Sequence, residues 1–451
     1  MIAWAAGFLL PVAAAIVLLR RAVPAQRRRA IAMPAIGIAM GLASAIGFAL
    51  MAGGVRSRIV FLALDSAVWL AIIAALALLP RTESAPARAP TKVADGRPFS
   101  IAVVVVFVAT LAIAVLWFVA TSGVYPHGEW DAWAQWNLRA RFFFRGFADG
   151  TWRDAFAPVL AWSHADYPML VPMSVARLWL YGGTETVAAP IAFGGFMAAA
   201  TVIVAMLGAA DARGWARGAL AGAVILACPS FVRYSAAQCA DVALGFYLLC
   251  AFVLWSRAAD EPRQPVYWVL AGTAAALAGW TKNEGLAGFG LFVLAVACER
   301  WWSWRSVRPA AIVLGGAMPV LIVIAIFKLT LAPPSYFTSE QSLARAAANL
   351  IDGDRIRLVA EAFAEELWRT GGTIVGVVPL LAAFAVARGI DPQPPAAARV
   401  ALAAVMLLLA VYAAAYLVTP KDLAWQLQTS LDRLVLHAVP TLAWAIVTAS
   451  R

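Results

Sequence analysis

The sequence IAVVVVFVATLAIAVLWFVA, residues 101–120, contains no charged side chain and a single hydroxyl, that of Thr110. Twenty apolar residues in a helix extend about 30 Å, which matches the hydrocarbon core of a bilayer. Similar runs recur along the chain, in which 63% of the 451 residues are hydrophobic and only 13% are charged. Soluble domains have roughly 25% charged residues, so the sequence predicts an integral membrane protein built from helices.

The apolar runs predict an all-α, polytopic fold with about thirteen transmembrane helices. The first run carries its arginines after the apolar residues rather than before them, which favours a retained helix over a cleaved signal peptide. The predicted spans are 2–19, 31–53, 59–79, 100–121, 187–208, 218–232, 241–256, 266–280, 285–299, 310–331, 372–387, 400–418 and 434–450.

A stretch rich in Ala, Pro and charge, residues 81–98, divides the chain. Such a composition is typical of a linker. We therefore predict three N-terminal helices in residues 1–80, a cytoplasmic linker over 81–98, and the main membrane domain in residues 99–451.

The connecting loops differ in their positive charge. If residues 20–29 are cytoplasmic, alternation places 19 of the 35 Lys and Arg residues on that same face. The positive-inside rule then assigns this face to the cytoplasm. The opposite face has two long loops, 122–185 and 332–371, and short loops near 233–240, 281–284 and 419–433.

Several functional classes lack support in the sequence. The net charge of +11 is spread over short clusters, which does not favour nucleic-acid binding. The four cysteines show no CxxC spacing, so neither a zinc site nor a disulfide framework is indicated. The motifs GxxxxGK[ST], HExxH and GxSxG are missing, and with them local evidence for nucleotide hydrolysis, a zinc protease or a serine hydrolase.

The first long outer loop opens with HGEWDAWAQWNLRAR, residues 127–141. Asp131 or Glu129 is a candidate general base that removes a proton from a substrate hydroxyl. Alternatively, Asp131 caps an interfacial helix that the tryptophans anchor. Arg139 and Arg141 are expected mostly off the aromatic face of this helix.

The same loop closes with SHADYP, residues 163–168. His164, Asp166 and Tyr167 are candidates for substrate contact because they share a loop with the first cluster. A turn and helix start enforced by the proline explains the same residues without a function.

Two further clusters lie where apolar runs begin on this face. Gln238 and Asp241 enter one run, and an ionisable residue there indicates function unless it caps the helix. Arg433 and His437 are four residues apart and therefore share a helix face. Arg433 can hold phosphate oxygens through two hydrogen bonds, or it can snorkel to the interface.

The segment Trp280-Thr-Lys282-Asn-Glu284 lies between two apolar runs of about fifteen residues each. Such helices reach roughly 22 Å, so Lys282 and Glu284 are expected below the outer surface, in protein or water. The two can form a structural ion pair, or Lys282 can neutralise a phosphate.

Two other features are assigned structural roles. Asp65 lies inside a predicted span with no obvious partner in the sequence, and we interpret it as a packed polar residue. Residues 339–369 place Ile356, Val359 and Phe363 on one face, which predicts a helix lying on the membrane surface over the site.

The order of these motifs resembles the GT-C fold membrane glycosyltransferases that use polyprenyl-phosphate sugars, including protein O-mannosyltransferases and lipid A aminoarabinose transferases. The resemblance covers about residues 100–451. It rests on Glu129-Trp-Asp131, Trp136-Asn137, Arg139-Ala-Arg141, His164-Ala-Asp166-Tyr167-Pro168, Gln238-Cys-Ala-Asp241, Thr281-Lys282-Asn283-Glu284-Gly285 and Leu427-Gln-Thr-Ser430-Leu-Asp432-Arg433.

The resemblance implies a GT-C-like domain that moves a sugar from a polyprenyl-phosphate donor to a glycan, lipid or protein acceptor, with inversion. It implies the bacterial inner membrane, a periplasmic active site, membrane lipids as partners and no nucleic acid. It implies Asp131 as the base, with Glu129 second, and Lys282 and Arg433 as phosphate ligands. A divalent cation such as Mg²⁺ or Mn²⁺ can share the phosphate charge, although we predict no metal ligands. The other predicted substrate contacts are Glu284, His164, Asp166, Tyr167, Asp241, Gln238, Arg139, Arg141 and His437.

The main alternative is a transporter or flippase in which Asp65, Asp241, Lys282 and Glu284 line a route. Transporters commonly contain internal repeats and midplane charges. Here no repeat is evident, and the polar clusters gather near one face, which favours the enzyme. A non-catalytic scaffold subunit is a third alternative, but it does not explain a lysine at depth.

Overall fold

The computed structural model describes residues 3–82, 96–370, 372 and 376–451. These residues contain α-helices and no β-strand, and their one β-type contact is an isolated bridge between Ile390 and Ser450. The all-α prediction is confirmed. The predicted linker falls mostly on residues 83–95, which lie outside the described residues.

Nineteen α-helices occur in these ranges. They are α1 (Leu9–Ala22), α2 (Arg28–Ala52), α3 (Arg58–Leu78), α4 (Arg97–Val124), α5 (Asn137–Arg145), α6 (Leu170–Gly182), α7 (Ala188–Arg213), α8 (Trp215–Leu226), α9 (Pro229–Ala236), α10 (Ala240–Asp260), α11 (Pro265–Thr281), α12 (Asn283–Trp304), α13 (Arg308–Thr330), α14 (Tyr336–Ser339), α15 (Leu343–Leu350), α16 (Gly353–Arg369), α17 (Val377–Arg388), α18 (Ala396–Val418) and α19 (Leu423–Ala449).

In the described ranges, ten helices are long and apolar enough to cross a membrane, or eleven if the bent pair α8 and α9 counts as one span. The chain is a multi-pass membrane protein, but the predicted count of thirteen is not confirmed. Predicted span 266–280 corresponds to α11, whose 17 residues reach about 25 Å, and 372–387 corresponds to the 12-residue α17. Both fall short of a bilayer core of about 30 Å.

Helix α10 lies at the centre of the bundle. In its most apolar 18-residue stretch 94% of α10 is buried, whereas only 11% of the corresponding stretch of α4 is buried. Helix α10 packs against α7, α11, α18 and α19, while α4 leaves most of its side chains exposed. An apolar helix that is covered all round belongs to the core, and one exposed like α4 faces the lipid.

The loops predicted on the cytoplasmic face contact one another. Arg27 binds Asp211 at 2.8 Å and Glu261 at 3.0 Å, and Arg213 binds Asp391 at 2.6 Å. These residues come from the loops 20–29, 209–217, 257–265 and 388–399. The contacts agree with the predicted alternation, while the assignment of this face to the cytoplasm stays a prediction.

Helix α2 packs into the core against α6, α7 and α11. A methyl group at Gly37 would lie 2.2 Å from the ring of Phe246, and one at Gly41 would lie 2.5 Å from the Tyr247 hydroxyl. That hydroxyl donates a hydrogen bond to the carbonyl of Gly37 at 3.0 Å. The two glycines therefore let the Phe246 and Tyr247 rings of α10 pack directly against the backbone of α2.

Asp65 has a partner that the sequence did not reveal. Its carboxylate accepts hydrogen bonds from Arg177 at 2.6 and 3.1 Å and from the Tyr181 hydroxyl at 2.6 Å. Asp65 and Arg177 are both buried. This pair fastens α3 to α6, so the interpretation of Asp65 as a packed residue holds, whereas its apparent lack of a partner was wrong.

One predicted outer helix contains an irregular turn in the structure, and the other is divided in two. The aromatic segment begins with a π-helical turn, Ala132–Trp136, and continues as α5. The predicted surface helix over 339–369 is two helices, α15 and α16, with the side chains of Val359 and Phe363 buried. The carboxylate of Asp352 caps the N-terminus of α16.

Candidate functional site

The candidate site is centred on Asp241, in the first turn of α10 and completely buried. Its Oδ1 lies 2.8 Å from Lys282 Nζ and 2.8 Å from His437 Nε2. Its Oδ2 accepts two hydrogen bonds from Arg433, at 2.8 and 3.2 Å. A buried carboxylate is tolerated when such partners surround it. The N-cap of α10 is Cys239, so the capping interpretation of Asp241 was wrong.

Arg433 joins two carboxylates. Besides its bonds to Asp241, its Nη1 lies 2.5 Å from Oδ2 of Asp131. The side chains of Arg433 and Asp131 are 15% and 16% exposed, compared with 0% for Asp241, so Asp131 forms the outer edge of the cluster. The turn after Asp131 has no side-chain cap, and Arg433 points inward. Helix capping by Asp131 and snorkelling by Arg433 are therefore both wrong.

Lys282 is buried at the break between α11 and α12, as predicted. Its Nζ is 3.4 Å from Oε1 of Glu284, which also accepts a hydrogen bond from the Tyr167 hydroxyl at 3.3 Å. The Nζ lies 5.6 Å from the centre of the Tyr167 ring, within cation–π range. Of the two flanking helices predicted to be short, α11 has 17 residues and α12 has 22, so the prediction is wrong for α12.

Asp166 and Asn283 brace the turn beside Tyr167. Asn283 Nδ2 donates to Oδ2 of Asp166 at 2.7 Å. Lys328 Nζ, from α13, donates to Oδ1 of Asn283 at 2.7 Å and to the carbonyl of Asp166 at 2.5 Å. These bonds tie the first outer loop to the α11–α12 break and so hold Tyr167 near Lys282.

The α9–α10 turn depends on Gln238, which has a left-handed φ of +61°. This conformation is costly for a residue other than glycine and persists where neighbours hold it. Asn137 donates to Gln238 Oε1 at 2.6 Å, and Gln238 donates to the carbonyl of Pro126 at 3.1 Å. The first outer loop thus fixes the turn that presents Asp241.

Three predicted site residues of the first outer loop have their contacts outside the cluster around Asp241. They are Glu129, Arg139 and Arg141. Both oxygens of Glu129 bind Arg233, at 3.1 and 2.7 Å. Arg139 is buried rather than merely off the aromatic face, and it donates to Ser163. Arg141 lies 3.1 Å from Nδ1 of His127 and outside the central cluster.

Burial lowers the pKa of basic groups in this loop, among them Arg139 and His164. The pKa of Arg139 falls to about 10 because burial disfavours its charge, although Asp166 partly offsets this. Burial also lowers the pKa of His164 below its ordinary value, against the opposing carboxylates of Asp166, Asp131 and Glu284. His164 is therefore a neutral side chain near pH 7.

The structure brings seven predicted residues into one cluster and arranges the others around it. Gln238, Asp166, Arg139 and His164 support this cluster, while Glu129 and Arg141 pair elsewhere. The seven are Asp131, Tyr167, Asp241, Lys282, Glu284, Arg433 and His437.

Lys328 and Tyr412 were not singled out from the sequence, and the partners of Arg233 and Tyr234 could not be named from it. Lys328 ends an apolar run, as Lys282 does, so the same signal was present. Tyr412 contacts His437 Nδ1 at 3.1 Å, and Tyr234 donates to Asp432 at 2.5 Å. Nothing in the apolar run that contains Tyr412 marks this tyrosine as part of a site. The pairing of Arg233 with Glu129 depends on the fold.

No group of three or more His, Cys, Asp or Glu side chains in the described ranges is arranged to hold a metal ion. The carboxylates of Asp131, Asp241 and Glu284 all contact Arg433 or Lys282 instead. The predicted divalent cation therefore stays untested.

Comparison with known proteins returns no matching family model, no matching curated protein and no matching solved structure. A function for this chain has to be inferred from the chemistry of its own residues.

Proposed function

We propose that the protein is a membrane glycosyltransferase that moves a sugar from a polyprenyl-phosphate donor to an acceptor hydroxyl on the extracytoplasmic face. One observation supports this most directly. Lys282 and Arg433 bind opposite oxygens of the same buried carboxylate, with Asp131 at the more exposed edge. Two fixed cations beside a carboxylate suit a reaction in which phosphate leaves and a hydroxyl loses its proton.

The two cations provide different phosphate contacts. Arg433 presents a planar fork that suits two phosphate oxygens, whereas Lys282 is a compact point charge. Asp241 positions both, because it is buried and bonded to each. Asp241 is thus a positioning residue and does not itself contact the substrate.

Asp131 suits the role of base better than Glu129 or Asp241. Both oxygens of Glu129 are bound by Arg233, and both oxygens of Asp241 are bound in the core. Only Oδ2 of Asp131 is engaged by a described side chain, and the residue lies at the edge of the cluster. Its Oδ1 is therefore placed to accept a proton.

In the proposed reaction the acceptor oxygen forms a bond to the anomeric carbon as the bond from that carbon to the phosphate oxygen breaks. The phosphate leaves with the bonding electrons, and Lys282 and Arg433 stabilise its charge. The acceptor proton passes to Asp131. Because the phosphate leaves without a proton, one carboxylate suffices, and a single displacement inverts the anomeric carbon.

A binding experiment tests the proposal without knowledge of the sugar. The purified chain in nanodiscs should bind polyprenyl phosphate much more tightly than the uncharged polyprenol. Lys282→Met and Arg433→Met should each remove most of this preference. Lys421→Met is the matched control, since Lys421 lies on the same face in an exposed pair with Glu340. Equal binding of both lipids by the wild type would rule out the proposal.

A transporter is the second candidate, and the break between α8 and α9 favours it. These helices bend by 66°, and α9 carries Arg233 and Tyr234 beside the cluster. Broken helices beside buried charges are common at transporter sites. A labelled polyprenyl phosphate in proteoliposomes separates the two candidates. Movement between leaflets that survives Asp131→Asn would indicate a transporter.

A further inference from the structure

Each of the three nitrogens of the Arg433 guanidinium contacts a carboxylate. Its Nε and Nη2 donate to Oδ2 of Asp241, and its Nη1 contacts Oδ2 of Asp131. A bidentate phosphate would bind two of these nitrogens, and each of them already contacts a carboxylate whose charge repels the phosphate. An anion that reaches Arg433 must therefore compete with Asp131 or with Asp241.

Asp131 is the carboxylate that can withdraw. Asp241 is completely buried and is also bonded to Lys282 and His437, so its removal from Arg433 would break a network of buried bonds. Asp131 is partly exposed, and Arg433 is its one ion-pair partner among the described side chains. It also precedes a single π-helical turn, which is a local irregularity of the helix.

We infer that the Asp131 carboxylate occupies the place on Arg433 that the lipid phosphate takes, so that phosphate binding and the Asp131–Arg433 pair exclude one another. This inference rests on the proposed function and adds a coupling within the site. Like charges on neighbouring nitrogens of one guanidinium repel, so arrival of the phosphate displaces the carboxylate. The carboxylate that is released is the proposed base.

This exclusion links donor binding to the state of Asp131. Before the donor binds, Oδ2 of Asp131 is held by a guanidinium nitrogen at 2.5 Å. After the donor binds, both oxygens of Asp131 are free to face the acceptor hydroxyl. Arrival of the donor thus frees the Asp131 oxygen that Arg433 held, so the proposed base is unpaired when a leaving phosphate is present.

The test measures binding of polyprenyl phosphate to the full chain in nanodiscs, with polyprenol as the uncharged reference. Asp131→Asn removes the competing charge with little change of shape, and it should tighten polyprenyl phosphate binding about tenfold while polyprenol binding stays constant. Glu340→Gln is the matched control, because it removes one negative charge from the same face in an exposed pair with Lys421. Its affinity for polyprenyl phosphate should equal that of the wild type.

Unchanged or weaker binding by Asp131→Asn, in a wild type that prefers polyprenyl phosphate, would overturn the exclusion and leave the proposed function standing. Equal tightening by Glu340→Gln would also overturn it, since a general charge effect would then explain both variants. A wild type that does not distinguish polyprenyl phosphate from polyprenol would refute the proposed function itself. Thermal unfolding of each variant identifies any loss of folded protein.

Discussion

Lys282 Nζ lies 2.8 Å from Oδ1 of Asp241, closer than the 3.4 Å that separates it from Oε1 of Glu284. The nearest counter-charge of Lys282 is thus 41 residues away in sequence rather than two. Asp241 also holds Arg433 and His437, so the stability of the cluster depends on this one carboxylate more than on the local pair.

We expect Asp241→Ala to lower the free energy of unfolding by about 3–5 kcal/mol, because it leaves Lys282 and Arg433 buried without their shared counter-charge. Thermal unfolding in detergent measures this. Asp422→Ala, which removes the N-cap of α19, should cost only about 1 kcal/mol. Equal losses in the two variants would show that the cluster is not a buried charge network.

Lys282→Ala should weaken binding of polyprenyl phosphate at least about tenfold, and Lys282→Arg should retain part of it, because arginine keeps the charge but displaces it. The double change of Lys282→Ala with Glu284→Ala should not restore binding. The Lys282 ammonium, which is both the proposed phosphate contact and the partner of Asp241, is still missing. Recovery of both stability and binding in the double variant would instead identify a purely structural Lys282–Glu284 pair.

Sugar transfer should fall by about 10²–10⁴-fold in Asp131→Asn, the usual loss when a general base is removed. Glu129→Gln should have a smaller effect, because Arg233 already binds both of its oxygens. Initial rates with saturating donor measure this. Full loss in Glu129→Gln with retained transfer in Asp131→Asn would move the base two residues upstream.

Protein stability should decrease as the pH falls below about 6.5, in part through His164. Burial lowers the pKa of this side chain below its ordinary 6.5, so the unfolded chain takes up the proton before the folded protein does. Protonation therefore favours unfolding from about pH 6.5 down to the lower pKa of the folded state.

Unfolding temperatures at about pH 7.5 and about pH 5.5 check this pH dependence. His164→Asn should reduce the difference, since asparagine does not titrate and tolerates the left-handed φ of +51° at this position. An unchanged difference would show that His164 does not contribute.

The membrane orientation predicts that exposed cysteines introduced at Ala148 and Ala348, in a background without native cysteine, react with an impermeant reagent in intact cells. Gln393→Cys, in a loop predicted inside, should be protected. Protection of both outer positions with labelling of Gln393→Cys would reverse the orientation.

The sequence was informative where polarity contrasts with an apolar background. Lys282, Asp241 and Arg433 stood out for this reason, and the structure brings them together. Helical spacing also predicted correctly that Arg433 and His437 share a face, because four residues complete about one turn.

Contacts between distant segments could not be predicted from the sequence alone. Asp65 and Arg177 are 112 residues apart, and each looked isolated in its own apolar run. Helix ends were also uncertain, since α12 continues beyond its apolar run through Trp304. Hydropathy reports transfer into lipid, whereas the end of a helix inside a protein depends on what packs against it.

The packing of the Phe246 and Tyr247 rings against α2 has a consequence for biogenesis. Gly37 and its partner Tyr247 are separated by 210 residues, so α2 leaves the ribosome and enters the membrane long before α10 exists. During that interval the glycine face of α2 contacts lipid or the insertion machinery. The central packing of the bundle is therefore completed late in synthesis, and a chain released before α10 presents that unpaired face to membrane quality control.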